Sequence, residues 1–229
     1  MKKQGHASRA AFSLIIWTLV AVCAIGLLAG FAEAVGRFVK SALPALGFLW
    51  VLFTAFTLYF FRDPEARTPA GAGLVVSPGH GKVDVIDQVD EPKFMGGRCH
   101  RISIFLSVFN VHVQNAPVSG QITYLQHTPG QFLSATRAAE SAAFNENVLL
   151  GFASRETADD KIGLRLIAGL IARRIVPFVA LNEEVQRGER ISLIQFGSRC
   201  DLYLPLDYRI QAKLGDHVVG GETVMATRS

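Results

Sequence analysis

Charge is what this chain has little of. Only 18% of its 229 residues are Asp, Glu, Lys or Arg, below the ~25% common in soluble domains. Disorder is excluded, because disordered chains are rich in charge and poor in apolar residues, whereas half of this chain is hydrophobic. Cysteine is scarce too. Cys23, Cys99 and Cys200 lie far apart, so there is no CxxC redox pair or zinc knuckle, and at most one disulfide is open to the chain. GxGxxG, P-loop and HExxH patterns are missing, as is the GxSxG nucleophile elbow. His80, His112 and His127 stand alone, without the paired spacing of a metal site, and no metal is expected. A net charge of +4 is too mild and too scattered to argue for nucleic acid. It suits contact with anionic lipid headgroups.

The apolar excess is concentrated. Residues 11–30 read AFSLIIWTLVAVCAIGLLAG and residues 42–61 read ALPALGFLWVLFTAFTLYFF, both without charge. Each matches the ~20 residues that cross a bilayer core as a helix. Together they predict a helical hairpin in an anchor covering residues 1–61. The basic start at Lys2, Lys3 and Arg9 and the triplet Ala32-Glu33-Ala34 imitate a secretory signal. The first run exceeds the ~7–15 residues of a signal's apolar region, and a second run follows it, so a retained anchor is expected. Lys2, Lys3, Arg9, Arg62 and Arg67 flank the outer ends of the pair, against Arg37 and Lys40 between the runs. This modest bias predicts both termini on the cytoplasmic side of the inner membrane.

Residues 62–229 have another character. The run RDPEARTP at 62–69 leaves the apolar stretch with charges and two prolines. KVDVIDQV at 82–89 alternates with period two, as a half-buried strand does. Residues 101–108, 118–125, 163–168, 190–196, 200–204 and 208–214 read as further strands. Residues 134–143 and 180–186 read as short helices. The expected fold class is α+β, mainly β: a β-rich barrel-like or sandwich-like domain preceded by the transmembrane hairpin.

One segment is odd for a sheet. In GERISLIQFGSRCDLYLP (188–205) two strand-like runs meet at Phe196-Gly197-Ser198-Arg199. A glycine inside apolar alternation marks a bend or a close approach. The bland reading is a β-bulge or a tight hairpin turn. The sharper reading is self-processing: the Ser198 hydroxyl attacks the carbonyl before it, and Gly197, lacking Cβ, tolerates the required backbone.

These residues carry a resemblance. FFRDPEA (60–66), SPGHG (77–81), RISIFLSVFNVHVQNAPVSG (101–120), PGQF (129–132), IAGLIARRIV (167–176), GERISLIQFGSRCDLYLP and GDHVVGGETVMA (215–226) occur in order. The sequence thereby resembles the phosphatidylserine decarboxylase proenzymes, of the short, two-span type. The resemblance implies autocatalytic serinolysis between Gly197 and Ser198, leaving Met1–Gly197 and a tail of 32 residues that stay associated. It implies that Ser198 becomes a pyruvoyl group, the covalent cofactor, which serves as electron sink in place of pyridoxal phosphate. The implied substrate is phosphatidylserine in the lipid bilayer, the products phosphatidylethanolamine and carbon dioxide. Homo-oligomer formation is left open.

Within this resemblance His112, in Asn110-Val111-His112, is the expected acid/base, since an unperturbed imidazole titrates near pH ~6.5. Arg173 and Arg174 are candidates for the substrate phosphate, because a guanidinium fits phosphate geometry; their bland reading is strand-end solvation. Two positions depart from the family pattern. His80 stands where an aspartate in SPxDG would orient the histidine, and is a supporting position at most. If a carboxylate is needed there, Asp84 and Asp87 are the nearby candidates. Asn147 stands where Asn-Glu-Arg is usual. The rival readings are a non-catalytic, membrane-anchored lipoyl-like β module, suggested by GDHVVGGETVMA, and an inactive decarboxylase relative. An intact Gly197–Ser198 bond would favour either.

Overall fold

The computed structural model describes residues 6–29, 33–157, 160–170, 174–195 and 197–228. The chain divides into two units, Gln4–Asp63 and a second that holds Pro64–Ser229.

The first unit is two helices, α1 (His6–Ala29) and α2 (Glu33–Phe60). Their windows Ser8–Leu27 and Val39–Phe60 are long and apolar enough to cross a membrane. Only 6% and 11% of those windows is buried, which is unlike the core helix of a soluble protein. The Trp50 indole N–H donates to the Thr18 hydroxyl at 3.1 Å, and a Cβ on Gly26 would touch Leu43. Contacts that pair 18 with 50 and 26 with 43 make the helices antiparallel. α2 starts well before residue 42, where the apolar run begins. Residues 33–41 contain no proline, so the polar turns extend the helix ahead of the span, and Pro44 is accommodated within it.

The second unit is mainly strand. In chain order it contains β1 (Leu74–Val76), β2 (Gly81–Glu91), β3 (Gly97–Leu106), β4 (Val113–Asn115), β5 (Gly120–Thr128), α3 (Ala138–Phe144), β6 (Asn147–Ser154) and β7 (Lys161–Ala168). There follow β8 (Ile175–Pro177), β9 (Glu184–Val185), β10 (Arg190–Ile194), β11 (Ser198–Leu204), β12 (Tyr208–Ile210), β13 (His217–Val218) and β14 (Val224–Arg228). Eight strands form a curled, half-barrel sheet in the order β13-β2-β3-β11-β7-β6-β5-β9. Two three-stranded sheets, β1-β14-β12 and β4-β10-β8, complete the unit. The paired strands are antiparallel.

Alternation explains the layers. Along β11, Cys200, Leu202 and Leu204 enter the main core with Ile102, Ile104 and Leu106 of β3 and Leu164 and Leu166 of β7. The intervening Arg199, Asp201 and Tyr203 take the other face, where Tyr203 joins Phe94, Cys99 and Leu149 in a second, smaller cluster. All seven residues of β11 are buried, as befits a strand with neighbours on both edges and cover on both faces. The β2–β3 turn is fixed by the buried Glu91 carboxylate, which accepts the backbone N–H groups of Lys93, Phe94 and Met95.

The thiols are uninvolved in crosslinks. Cys23, Cys99 and Cys200 are all free. Cys99 and Cys200 belong to different clusters. Burial, with Glu91 and Asp90 nearby, pushes the Cys99 thiol up to about 11.

A short helix overlaps the stretch expected at 134–143, whereas the helix expected at 180–186 is corrected. α3 has only seven residues and begins at Ala138. Residues 181–182 form a turn in which Asn182 adopts φ +67°, and β9 follows, so there is no helix there. β6 is a strand the period-two reading passes over. It is buried along almost its whole length, so NVLLGFAS shows no alternation.

Candidate active site

The chain passes between sheets at the Gly-Ser pair. β10 belongs to the β4-β10-β8 sheet and β11 to the eight-stranded one. The two runs therefore do not pair with each other, which removes the hairpin-turn reading. Gly197 makes the crossing with φ +75°, a conformation that costs an L-residue ~1–2 kcal/mol. Phe196 lies outside the described residues.

Both polar groups of Gly197 are held. Its N–H donates to Nε2 of His112 at 3.0 Å, and its carbonyl accepts the Gly169 N–H at 3.1 Å. Next to it, Ser198 is fully buried and its hydroxyl has no hydrogen-bond partner among the described residues. An orphaned hydroxyl of this kind costs stability, and such exceptions cluster where chemistry needs a free group. Ser198 opens β11 between Leu106 of β3 and Ala168 of β7.

The tautomer of His112 follows from its partners. Nδ1 lies 2.9 Å from the Asn110 carbonyl, which can only accept. Nε2 meets the Gly197 N–H, which can only donate. Nδ1 therefore carries the proton and Nε2 offers a lone pair at Gly197. The backbone around it is pinned. The His112 carbonyl accepts from the Gln114 side chain at 2.6 Å and from the Ile194 N–H at 3.1 Å. Ser192 in turn donates to Gln114 at 2.6 Å. The Asn110 side chain closes the preceding loop by accepting the Ser107 N–H and hydroxyl.

A carbonyl thus occupies Nδ1, the place where a carboxylate was sought. Asp84 and Asp87 are engaged elsewhere. Asp84 makes a two-pronged pair with Arg199 at 2.6 and 2.5 Å, and Asp87 a similar pair with Arg101 at 2.9 and 2.6 Å. The His80 ring packs beside Gly220 and the Asn115 carboxamide, where a Cβ on Gly220 would fall 2.9 Å from the ring. The SPGHG turn itself approaches the site: a Cβ on Gly79 would touch Cys200 and Leu106. Asn115 neighbours this turn. It ends β4 nearly buried, with its side chain donating to the Gly188 carbonyl at 2.8 Å.

Arg174 is exposed, and its carbonyl accepts the Gln195 N–H at 3.2 Å, two residues before Gly197. Arg173 lies outside the described residues. Glu146 pairs with His127 at 3.3 Å. Asn147 donates to the Asn145 carbonyl, while the Asn145 amide bonds the carbonyls of Leu133 and Ala168.

Two participants escape a reading of the sequence. Gly169 approaches so closely that a Cβ would sit 2.6 Å from the Gly197 carbonyl oxygen; its only local signal is a glycine ending an apolar strand. Arg199 is fully buried, and a charge inside IQFGSRCDLYL was the available hint. Cys200 offers no rival nucleophile, since burial and Asp201 push its thiol far above the ordinary range.

Comparison with known proteins decides the family. A family model described as phosphatidylserine decarboxylase matches residues 53–226. The chain belongs to the phosphatidylserine decarboxylase family. A phosphatidylserine decarboxylase proenzyme of Desulfotalea psychrophila is 46% identical over 180 residues, covering 79% of this chain and 83% of the relative. One from Symbiobacterium thermophilum is 41% identical over 197 residues, covering 83% and 90%. One from a Geobacter species is 40% identical over 214 residues, covering 91% and 96%. The match to the phosphatidylserine decarboxylase model takes in Ser77–Gly81, Asn110–His112, Gly169 and Gly197–Ser198 together.

Proposed function

We propose that this chain is a membrane-anchored phosphatidylserine decarboxylase that makes its own pyruvoyl group by cutting itself between Gly197 and Ser198. The observation that carries the reading is the scissile peptide itself. A buried hydroxyl without a partner follows a left-handed glycine whose N–H rests on His112 Nε2 and whose carbonyl rests on the Gly169 N–H.

The cut needs no outside reagent but water. His112 Nε2 exchanges its bond to Gly197 N–H for the Ser198 hydroxyl and takes that proton. Ser198 Oγ bonds to the Gly197 carbonyl carbon, and the C–N bond between the residues breaks, its nitrogen receiving the proton. The amide is now an ester. While the carbon is tetrahedral its oxygen is negative, and the Gly169 N–H already points at that oxygen. Loss of the Ser198 α-proton then expels Gly197 as a carboxylate and leaves an enamine at residue 198. Tautomerisation and hydrolysis consume one water and release ammonia, leaving a ketone beside the amide of Arg199.

The residues present fit that group. It would begin β11, flanked by Leu106 and Ala168 and covered from the main core side. When formed, it supplies an electron sink for the pair released as carbon dioxide departs. His112 is the proposed donor of the proton that replaces the carboxyl group. Arg174, exposed and tied to Gln195, is proposed to pair with the lipid phosphate, with Arg173 as its sequence neighbour. His80 is proposed as a supporting residue of the SPGHG turn. α1 and α2 are proposed to cross the bilayer, with the catalytic unit on the cytoplasmic side, so that a diacyl substrate is met without leaving its membrane.

Intact-mass spectrometry of the purified full chain tests the reading. Two fragments are expected, one ending at Gly197 and one starting at residue 198 and lighter by one ammonia than the serine peptide. A single uncut chain in folded material that still releases carbon dioxide from phosphatidylserine would refute it.

A further inference from the structure

We propose that Arg199 and Asp84 form a clamp that holds the new chain end in register after the cut, and so positions the keto group for turnover. The inference rests on the reading of Ser198 given above. Arg199 is among the largest fully buried side chains among the described residues. Its guanidinium makes the two-pronged pair with Asp84 and also donates to the Ala135 carbonyl, from Nη2 at 2.9 Å and from Nε at 3.3 Å.

The partners are not sheet neighbours. β3 lies between β2 and β11, so the Arg199 side chain reaches across the strand carrying Phe105, its ladder partner. Asp84 is the extra residue where the β2–β3 register shifts between Val83 and Val85. Such a bulge re-aims one side chain. The third tie is close to the chemistry: the Ala135 methyl lies 3.2 Å from where a Cβ on Gly169 would stand, and that glycine holds the Gly197 carbonyl. One guanidinium therefore joins β11, the β2 bulge and the 135 loop around the scissile bond.

An apolar residue would pack at 199 at lower desolvation cost, since taking a guanidinium out of water, even to meet a half-buried carboxylate, is a poor device for stability alone. The cut supplies a reason for the pair. In the intact chain, residue 198 is held by a peptide bond on each side. In the cut chain only the bond to Arg199 remains, and free strand ends fray. The carbonyl conjugated with the ketone is amide-bonded to the Arg199 nitrogen. Fixing Arg199 thus fixes the electron sink, while the side chain touches no reacting atom. Arg199 and Asp84 are positioning residues.

The test uses the full chain in lipid nanodiscs. Removing Asp84 alone strands the buried Arg199 guanidinium and endangers folding, so the decisive variant is the double apolar replacement Arg199→Met with Asp84→Leu. It is expected to cut and to carry the keto group, measured by intact mass and by reaction with a hydrazine. Its KM for phosphatidylserine should stay near the parental value while kcat per keto group falls on the order of tenfold or more. Amide hydrogen exchange at residues 199–201 should quicken in the cut double variant, but not when Ser198→Ala keeps the same chain whole. Parental kcat and parental exchange in a cut double variant would overturn the clamp while leaving the reading of Ser198 intact. A parental chain that never cuts would overturn both.

Discussion

Gly169→Ala tests the self-cleavage geometry most directly. The added methyl would start 2.6 Å from the Gly197 carbonyl oxygen, whereas ordinary contact begins near 3.4 Å. One of the two must retreat by about 0.8 Å, which lengthens the 3.1 Å hydrogen bond from the Gly169 N–H, to about 3.9 Å where the retreat runs along the bond, and carries it toward or beyond the limit of hydrogen bonding. Loss of one such donor to a developing oxyanion slows acyl transfer by ~10²–10³, or about 3 kcal/mol of barrier. The assay follows freshly translated full chain in nanodiscs, timing the disappearance of the uncut band. Gly163→Ala, on the β7 strand that Gly169 follows, is the control. Its nearest neighbours are Tyr203 atoms at 3.2 Å, away from the scissile bond, so it should cut at the parental rate. Parental cleavage in Gly169→Ala, or equal slowing in Gly163→Ala, would refute the role given to the Gly169 N–H.

Other outcomes follow from the same structure. Ser198→Ala should remain a single chain and release no carbon dioxide from phosphatidylserine, read by gel and by trapped gas. His112→Ala should slow cleavage by ~10²–10⁴, the usual worth of a placed acid/base; normal cutting and turnover would remove His112 from the mechanism. Burial holds the Asp201 carboxyl above the ordinary range, against the opposing pull of Ser103, Arg199, Arg101 and Arg165. The folded chain thus keeps a proton that the unfolded chain loses above pH ~3.9, and Asp201 contributes stability that falls as pH rises through that window. Asp201→Asn should raise the melting temperature at neutral pH and leave it unchanged below pH ~3.5, by calorimetry. Gly151→Ala should cost about 1–3 kcal/mol by denaturant titration, because its methyl would fall 2.4 Å from the Phe94 ring.

Much of this could be read from the sequence wherever one residue type sufficed. Uncharged runs of span length announced α1 and α2, and period-two alternation announced β2. The bend at Gly197 was visible as a glycine interrupting apolar residues. The jump from one sheet to another at that bend was not, because strand order is decided by pairings remote in sequence. β6 went unseen since cover on both faces erases its alternation. The run 180–186 looked helical by composition, yet Glu183 accepts the Ala180 N–H and Asn182 turns left-handed. Local bonding there outweighs propensity. The Arg199–Asp84 pair spans 115 residues of sequence, and no local pattern foretells it. The tautomer of His112 also depends on a fold-level fact: which backbone groups meet its two nitrogens.

The interleaving of strands has a consequence for a chain cut as proposed between Gly197 and Ser198. Of the strands from residue 198 onward, β11 is laced between β3 and β7, β12 and β14 share a sheet with β1, and β13 lies along β2. The short piece would behave as a keystone, seated by ladders on several sides rather than by any covalent link. Pulling it free would mean dismantling the half-barrel, so nicked material should melt as one cooperative body and shed its small fragment only on denaturation.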